Sequence, residues 1–455
     1  MFRVASHRVH AAELLEGLSA QGFRTRPLDG LPSFFVVESG PRPLSHTYEH
    51  WSGLLYVQQA STGLAAPALS PARASRVLDL CSSPGGKLTH LAQLVGEDGS
   101  LVACEIDGRR MRGLLGNVNR LCVPNVLVID GDGRSFPAGP TFDHVLVDAP
   151  CSGEGTLRRR SGEVPDQSRR FLAYVTRAQR ALLERAVALV RPGGTILYVT
   201  CTFSPEENEA VVSELLATAP VDLVPLTPSV PHAPGLTRFE GTTYDARLEG
   251  AVRIYPHHLD SGGLFMAKLR RTDGDAEVAR DGWRPVPHAF PGGGHEEADA
   301  ARLIDGCLEA VRARYDLDPT FVQGCRWILR GDTIWAHRLR DWPLESWEAG
   351  SWRAVSVGIR ALEIDARGRP LPTNDFLRFA SGSVRGGTVD VEADTLVSLL
   401  RGDPDDRACS VPGPVALRYH GDVVGRGRCG EAGLSSEIPK ARAQDLLRAL
   451  AASAP

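Results

Sequence analysis

The chain has 455 residues, 51 basic and 55 acidic, for a formal net charge of −4, with 42% apolar and 23% charged residues. That composition is ordinary for a globular protein and excludes a collagen, a coiled-coil array or a wholly disordered chain. No run approaches the roughly 18 consecutive apolar residues of a spanning helix, and the N-terminus lacks the apolar core of a signal peptide, so a cytoplasmic protein without a membrane partner is expected.

At usual domain sizes this length predicts about two to four folding units. Residues 1–70 predict a small N-terminal α/β region, with a helical pattern at 10–18 and a β-like run, SFFVVES, at 33–39. From residue 76 the pattern changes. Short runs of buried-strand type at 77–81, 100–107, 126–130, 144–150 and 195–201 alternate with helical patterns, and 262–271 reads as a closing strand. Alternation of this kind predicts an α/β domain over 71–271, a parallel sheet with helices on both faces. Residues 272–300, rich in Gly, Pro and acid, read as a linker. Residues 301–455 predict an α+β region: a helix at 301–314, Trp-containing strands, and hairpins with Gly turns near the end.

Nine cysteines are scattered without a CxxC pair, which is neither a disulfide framework nor a zinc signature. Reduced thiols and no metal site are expected. The near-neutral net charge hides a basic tract: residues 157–191 hold nine arginines against three acidic residues, including Arg158, Arg159, Arg160, Arg169 and Arg170. Such a tract is either a solvated helix face or a grip on phosphates, and its triple and paired arginines favour the grip. Only three lysines occur, at 87, 268 and 440.

The first chemical constellation is VLDLCSSPGGKLTHL. A strand ends at Cys81, and Ser82, Ser83, Pro84, Gly85 and Gly86 form a turn into a helix that begins near Lys87 and Leu88. Glycines there let backbone amides approach a ligand, although neither the GxGxxG nor the P-loop spacing is present. Glu105 ends the next strand, where an acid can hold both ribose hydroxyls, with Arg110 in the helix that follows. Asp132 follows the third strand and Asp148 ends the fourth. Each acid alone is as well read as a cap; together on successive strand ends they fit an adenosine-type ligand. Cys151, in DAPCSGEG, and Cys201, in TCTFSPEENE, both follow strand ends and should face the same cleft.

These segments resemble the Nol/Nop/Sun family of RNA cytosine methyltransferases. PGGK, DAPCSGEG, TCTFSPEENE, the late PHHLDSGGLFMAKLRR and the earlier GLLYVQQASTGL carry the likeness, which runs from about 53 to 271. Within the family the chain is most similar to the bacterial small-subunit ribosomal RNA methyltransferase F branch. The resemblance implies a Rossmann-like domain that binds S-adenosyl-L-methionine and methylates carbon 5 of cytidine in RNA, here 16S ribosomal RNA or the small ribosomal subunit. It also implies Cys201 as the nucleophile adding to carbon 6, Cys151 as the residue assisting release, Asp148 and Lys87 as their partners at the base, and a PUA-like RNA-binding module near the C-terminus. A monomer is the default expectation. The chain departs from the family pattern at Leu88, where a threonine is usual, in RVA where RVN is usual, and in SGEVPDQS at 161–168.

Three alternatives stand beside this reading. One is a tRNA substrate for the same chemistry. Another is a DNA cytosine methyltransferase using Cys151 of the Pro-Cys pair, disfavoured by the lack of a following glutamine and of a large recognition insert. The third is a non-catalytic RNA-binding assembly factor, against which the joint presence of Lys87, Asp148, Cys151 and Cys201 argues.

Overall fold

The computed structural model describes residues 1–139, 141–159, 168–274, 282–343, 352–406 and 412–451. Its centre is a sheet whose main strands are β1 (Arg76–Asp79), β2 (Ser100–Glu105), β3 (Val126–Asp130), β4 (Phe142–Asp148), β5 (Val190–Thr200), β6 (Leu264–Arg271) and β7 (Arg353–Val357). They lie in the order β6-β5-β4-β1-β2-β3-β7. The five strands from β5 to β3 are parallel, while β6 and β7 close the two sides antiparallel. Chain order reverses between β1 and β4. The carboxyl ends beside that reversal are where open α/β sheets bind ligands.

The strands are apolar on both faces because both faces are covered. Val77, Leu101, Val126 and Leu146 pack with Leu88, Leu91 and Val95 of α1 (Gly86–Val95) and Leu114 of α2 (Gly108–Arg120). Their neighbours Leu78, Val102, Leu127 and Val145 pack on the other face. There they meet Leu182, Leu183 and Ala186 of α3 (Arg169–Leu189) and Val211 and Leu215 of α4 (Glu209–Thr218). Asp107 caps α2 by accepting from the amides of Arg109 and Arg110, and Ser168 caps α3 through the Phe171 amide.

N-terminal to this domain, strands Phe2–Val4, Arg24–Pro27, Phe34–Ser39 and Leu55–Val57 form an antiparallel sheet beside the helix Ala11–Ala20. The C-terminal region carries the helix Glu297–Tyr315 and two four-stranded sheets, the last built from Thr388–Asp390, Gly413–Tyr419, Asp422–Gly430 and Gly433–Ser436.

Two sequence expectations meet a different arrangement. The stretch read as a linker is packed in its described part: Trp283 is buried, donates to the Thr141 carbonyl at 2.8 Å and meets Phe142 edge-on. An aromatic in a Gly- and Pro-rich stretch finds its partner only through the fold. Cysteine pairing likewise depends on proximity in space. Among the described residues seven cysteines are free thiols, but Cys429 is disulfide-bonded, contrary to the all-reduced expectation.

Candidate active site

β1 delivers the turn Ser82–Gly86 to the switch point. Gly85 adopts φ +97°, a left-handed conformation that favours glycine, and starts α1. A Cβ on Gly86 would stand 3.0 Å from the Tyr56 ring, a contact the ring could take only by shifting a few tenths of an ångström. Arg110 ties the turn to α2 by donating to the Ser83 carbonyl at 3.0 Å, while the Ser83 hydroxyl donates to the Arg110 carbonyl at 2.9 Å. Asn117 donates to the Pro84 carbonyl at 2.9 Å. The side chain of Leu88, in the first turn of α1, faces the sheet and is fully buried in the core.

Along the sheet edge, Glu105 is buried and accepts from the amides of Ile106 and Asp107 through Oε1. Its Oε2 is buried with no hydrogen-bond partner, 3.6 Å from Arg110. Ile106 beside it is 61% exposed, an apolar surface next to an acceptor in want of a donor. Asp132 accepts from the Arg134 side chain and amide, which hold its carboxyl below the usual range. Asp79 is buried behind them, and burial together with the Asp148 charge pushes it up to about 7.

Lys87 and Asp148 form an ion pair at 2.7 Å, with side chains 12% and 25% exposed. Burial works against the lysine charge, but Asp148 outweighs it and the pKa is raised. Lys87 is therefore a fixed cation. Both residues line a cleft of about 590 Å³ with Ser82, Ser83 and Gly86. Its opposite wall brings Tyr56, Gln58 and Gln59 from the N-terminal region and Ser261 and Gly262 from the loop before β6.

Cys151 and Cys201, fifty residues apart, place their sulfurs 3.3 Å from each other. Both are partly exposed. The hydrogen bond from Cys151 lowers the Cys201 pKa against the effect of burial, and Lys87 lowers it further, whereas Asp148 opposes. The same hydrogen bond, with burial and the Cys201 charge, pushes the Cys151 thiol well up. One sulfur is thus biased to thiolate and the other to neutral thiol.

A buried polar clamp holds these two loops. The Glu207 carboxylate accepts from the Ser152 amide at 2.9 Å, the Ser152 hydroxyl at 2.6 Å and Gln179 at 3.0 Å. The Ser152 and Thr202 hydroxyls are 2.7 Å apart. The Gly155 amide donates to the Cys201 carbonyl at 2.8 Å, and the Gly263 amide to the Gly155 carbonyl at 2.9 Å. A Cβ on Gly155 would come within 2.8 Å of Gly263, so the three loops interlock through glycine.

The structure brings Lys87, Asp148, Cys151 and Cys201 together and aligns Ser82–Gly86, Glu105, Arg110 and Asp132 on one edge. Arg169 and Arg170 are exposed in the first turn of α3. Arg158 and Arg159 close the turn Glu154–Arg159, but their side chains, and all of Arg160, lie outside the described residues. Asp79, Ile106, Gln58, Ser152 and Glu207 escape the sequence reading. The signal for Glu207 was present in the PEEN run, where an acid before a helix reads equally as a helix-terminus charge.

Residues 66–270 match the family described as 16S rRNA methyltransferase RsmB/F. The ribosomal RNA small subunit methyltransferase F of Klebsiella pneumoniae (strain 342) is 31% identical over 388 residues, 83% of this chain and 77% of that protein. The protein of the same name from Serratia proteamaculans (strain 568) is 33% identical over 307 residues, and the match spans 66% of this chain and 63% of that protein. Among solved structures, a methyltransferase homologue from Pyrococcus horikoshii is 31% identical, with a TM-score of 0.54 over 59% of this chain and 85% of its own. NSun6 from the same organism shares the fold at 22% identity and a TM-score of 0.51, covering 60% of this chain and 90% of that one.

Proposed function

Because the chain belongs to the RsmB/F family of S-adenosylmethionine-dependent RNA methyltransferases, we propose that it methylates carbon 5 of a cytidine in the RNA of the small ribosomal subunit, with Cys201 as nucleophile. The observation that carries this reading is the pair of sulfurs 3.3 Å apart beside the Lys87–Asp148 ion pair. Carbon 5 of cytosine is a poor nucleophile, and a thiolate bonded to carbon 6 makes it enamine-like.

The residues present fit the cofactor. Glu105 offers a buried acceptor oxygen without a donor, suited to a ribose hydroxyl, Ile106 offers an apolar surface to a purine, and the Ser82–Gly86 turn offers bare backbone. Asp132 and Arg110 complete that edge. When bound, S-adenosylmethionine supplies the methyl group that an electron-rich carbon 5 accepts.

Asp148 and Lys87 hold the base, Asp148 through the exocyclic amine or ring nitrogen that distinguishes cytosine from uracil. The Cys201 thiolate adds to carbon 6, and its charge leaves the sulfur. That addition removes the hydrogen-bond acceptor and the charge that raise the Cys151 pKa, so Cys151 becomes a stronger acid than it is before the bond to carbon 6 forms. Cys151 gives up its proton to solvent, its thiolate then takes the proton from carbon 5, the 5,6 double bond re-forms, and Cys201 leaves as the thiolate it was at the start.

A cytidine within folded RNA must leave its stack to reach this cleft. Arg169 and Arg170, with the Arg158–Arg160 run, are assigned to the flanking phosphates, and the N-terminal sheet and a PUA-like C-terminal module to further RNA contacts. Incubation of the protein with labelled cofactor and small-subunit RNA should yield labelled 5-methylcytidine. C201A should abolish it, and C151A should leave RNA bonded to the protein after denaturation. The opposite pattern for the two variants would overturn the assignment of roles.

A further inference from the structure

Trp352 immediately precedes the edge strand β7, contributed by the C-terminal region, and the chemistry above does not use it. Arg353, Ala354, Ser356 and Val357 of that strand pair antiparallel with Asp130, Ile129, Val128 and Leu127 of β3. Arg353 also reaches the Asp130 carboxylate at 3.4 Å. At the carboxyl end of β3 the Trp352 ring covers Gly131. A Cβ built there would stand 2.5 Å from two ring carbons, so the ring occupies the space a side chain would take. The ring is braced edge-on by the fully buried Phe136, centroids 5.2 Å apart. On the other side the Gly131 amide donates to the Glu105 carbonyl at 3.2 Å. The segment Asp130–Asp132 is therefore held between the strand end that carries Glu105 and an indole from more than two hundred residues downstream.

We infer that Trp352 is a positioning residue for the cofactor: it fixes the Gly131–Asp132 backbone against Glu105, so the C-terminal region completes the S-adenosylmethionine site as well as extending the molecule. The inference rests on the reading of Glu105 and Asp132 as cofactor contacts. A glycine released from such a contact regains wide backbone freedom, and the acid that follows it loses its fixed direction. The expected consequence is selective. Cofactor affinity falls, while the thiols, the Lys87–Asp148 pair and the RNA-facing arginines, which Trp352 does not touch, keep their properties.

The test is calorimetric titration of the full-length protein with S-adenosylmethionine. W352A should raise the dissociation constant about tenfold, within the range for a residue coupled to a site it does not contact. W352F, which keeps a ring over Gly131, should bind nearly as the wild type does. V357A, in β7 but paired with Leu127 away from the loop, should lower Tm and leave the dissociation constant unchanged. G131A should also weaken binding, and by less in the W352A background, because the two changes act on one contact. Should W352A fail to fold, G131A and W352F decide the matter. Equal affinity in W352A and wild type, or equal losses in W352A and V357A, would overturn the inference. A wild-type protein that binds no cofactor would instead overturn the proposed function.

Discussion

At the scale of single residues, the two sulfurs differ in what surrounds them. Cys201 receives the hydrogen bond and feels Lys87; Cys151 donates and faces the resulting charge. A group whose charged form is favoured titrates lower, so the Cys201 thiolate persists to lower pH than an ordinary thiol allows. Removing the donor removes the main cause. In C151A the pH midpoint for alkylation of Cys201 by iodoacetamide, followed by mass spectrometry, should therefore move upward. A midpoint that stays in place would mean that Lys87 alone sets the thiolate. The sequence placed both cysteines after strand ends, and the structure sets their sulfurs 3.3 Å apart. The sequence did not contain their mutual distance, because Pro150 and Thr200 set the direction of each loop and the Glu207 clamp sets the gap between them.

Elements were legible where hydrophobic pattern and position agree. The runs at 77–81, 100–107 and 126–130 became β1, β2 and β3 because each is apolar on both faces and bounded by turn residues. The strand Arg353–Val357 was hidden within a general expectation of Trp-containing β segments, since nothing local says that RAVSV pairs with a strand more than two hundred residues earlier. The clamp between the cysteine loops was equally hidden. Ser152, Gln179 and Glu207 come from a loop, from α3 and from the approach to α4, and their complementarity exists only once those elements pack. E207Q replaces an acceptor facing three donors with a group that itself donates, leaving a buried donor without a partner at a cost of about 1–3 kcal/mol. Its Tm should fall, and its kcat should fall more than its KM rises, as measured by thermal denaturation and steady-state kinetics. Unchanged kcat with lowered Tm would reduce the clamp to a purely structural feature.

For the whole molecule, a net charge of −4 sits poorly with a polyanionic substrate unless basic residues are gathered. The structure gathers some of them on α3. Arg170, Tyr174 and Arg177 are exposed at spacings of four and three, on one face of the helix, with Tyr174 65% exposed. Arg169 and Arg170 also stand in the first turn, where the helix dipole disfavours cations, so the helix itself gives no reason for them. R170A combined with R177A should weaken RNA binding and reduce the slope of log affinity against log salt by about one per lost phosphate contact. An unchanged slope would place the RNA on another face. Among the described residues no helix is long and apolar enough to cross a membrane. The linked architecture, with Trp283 and β7 joined to the central sheet, makes the C-terminal region part of the same packed body.

The central claim is that the sulfur of Cys201, and not that of Cys151, bonds to the pyrimidine ring. RNA carrying 5-fluorocytidine at the target position blocks loss of the carbon 5 substituent and should trap the bonded enzyme in the presence of S-adenosylmethionine. Digestion and mass spectrometry of the trapped species should find the nucleotide, carrying a methyl group, on the peptide containing Cys201. A nucleotide on the Cys151 peptide, or methylated RNA released with no trapped protein, would contradict the account.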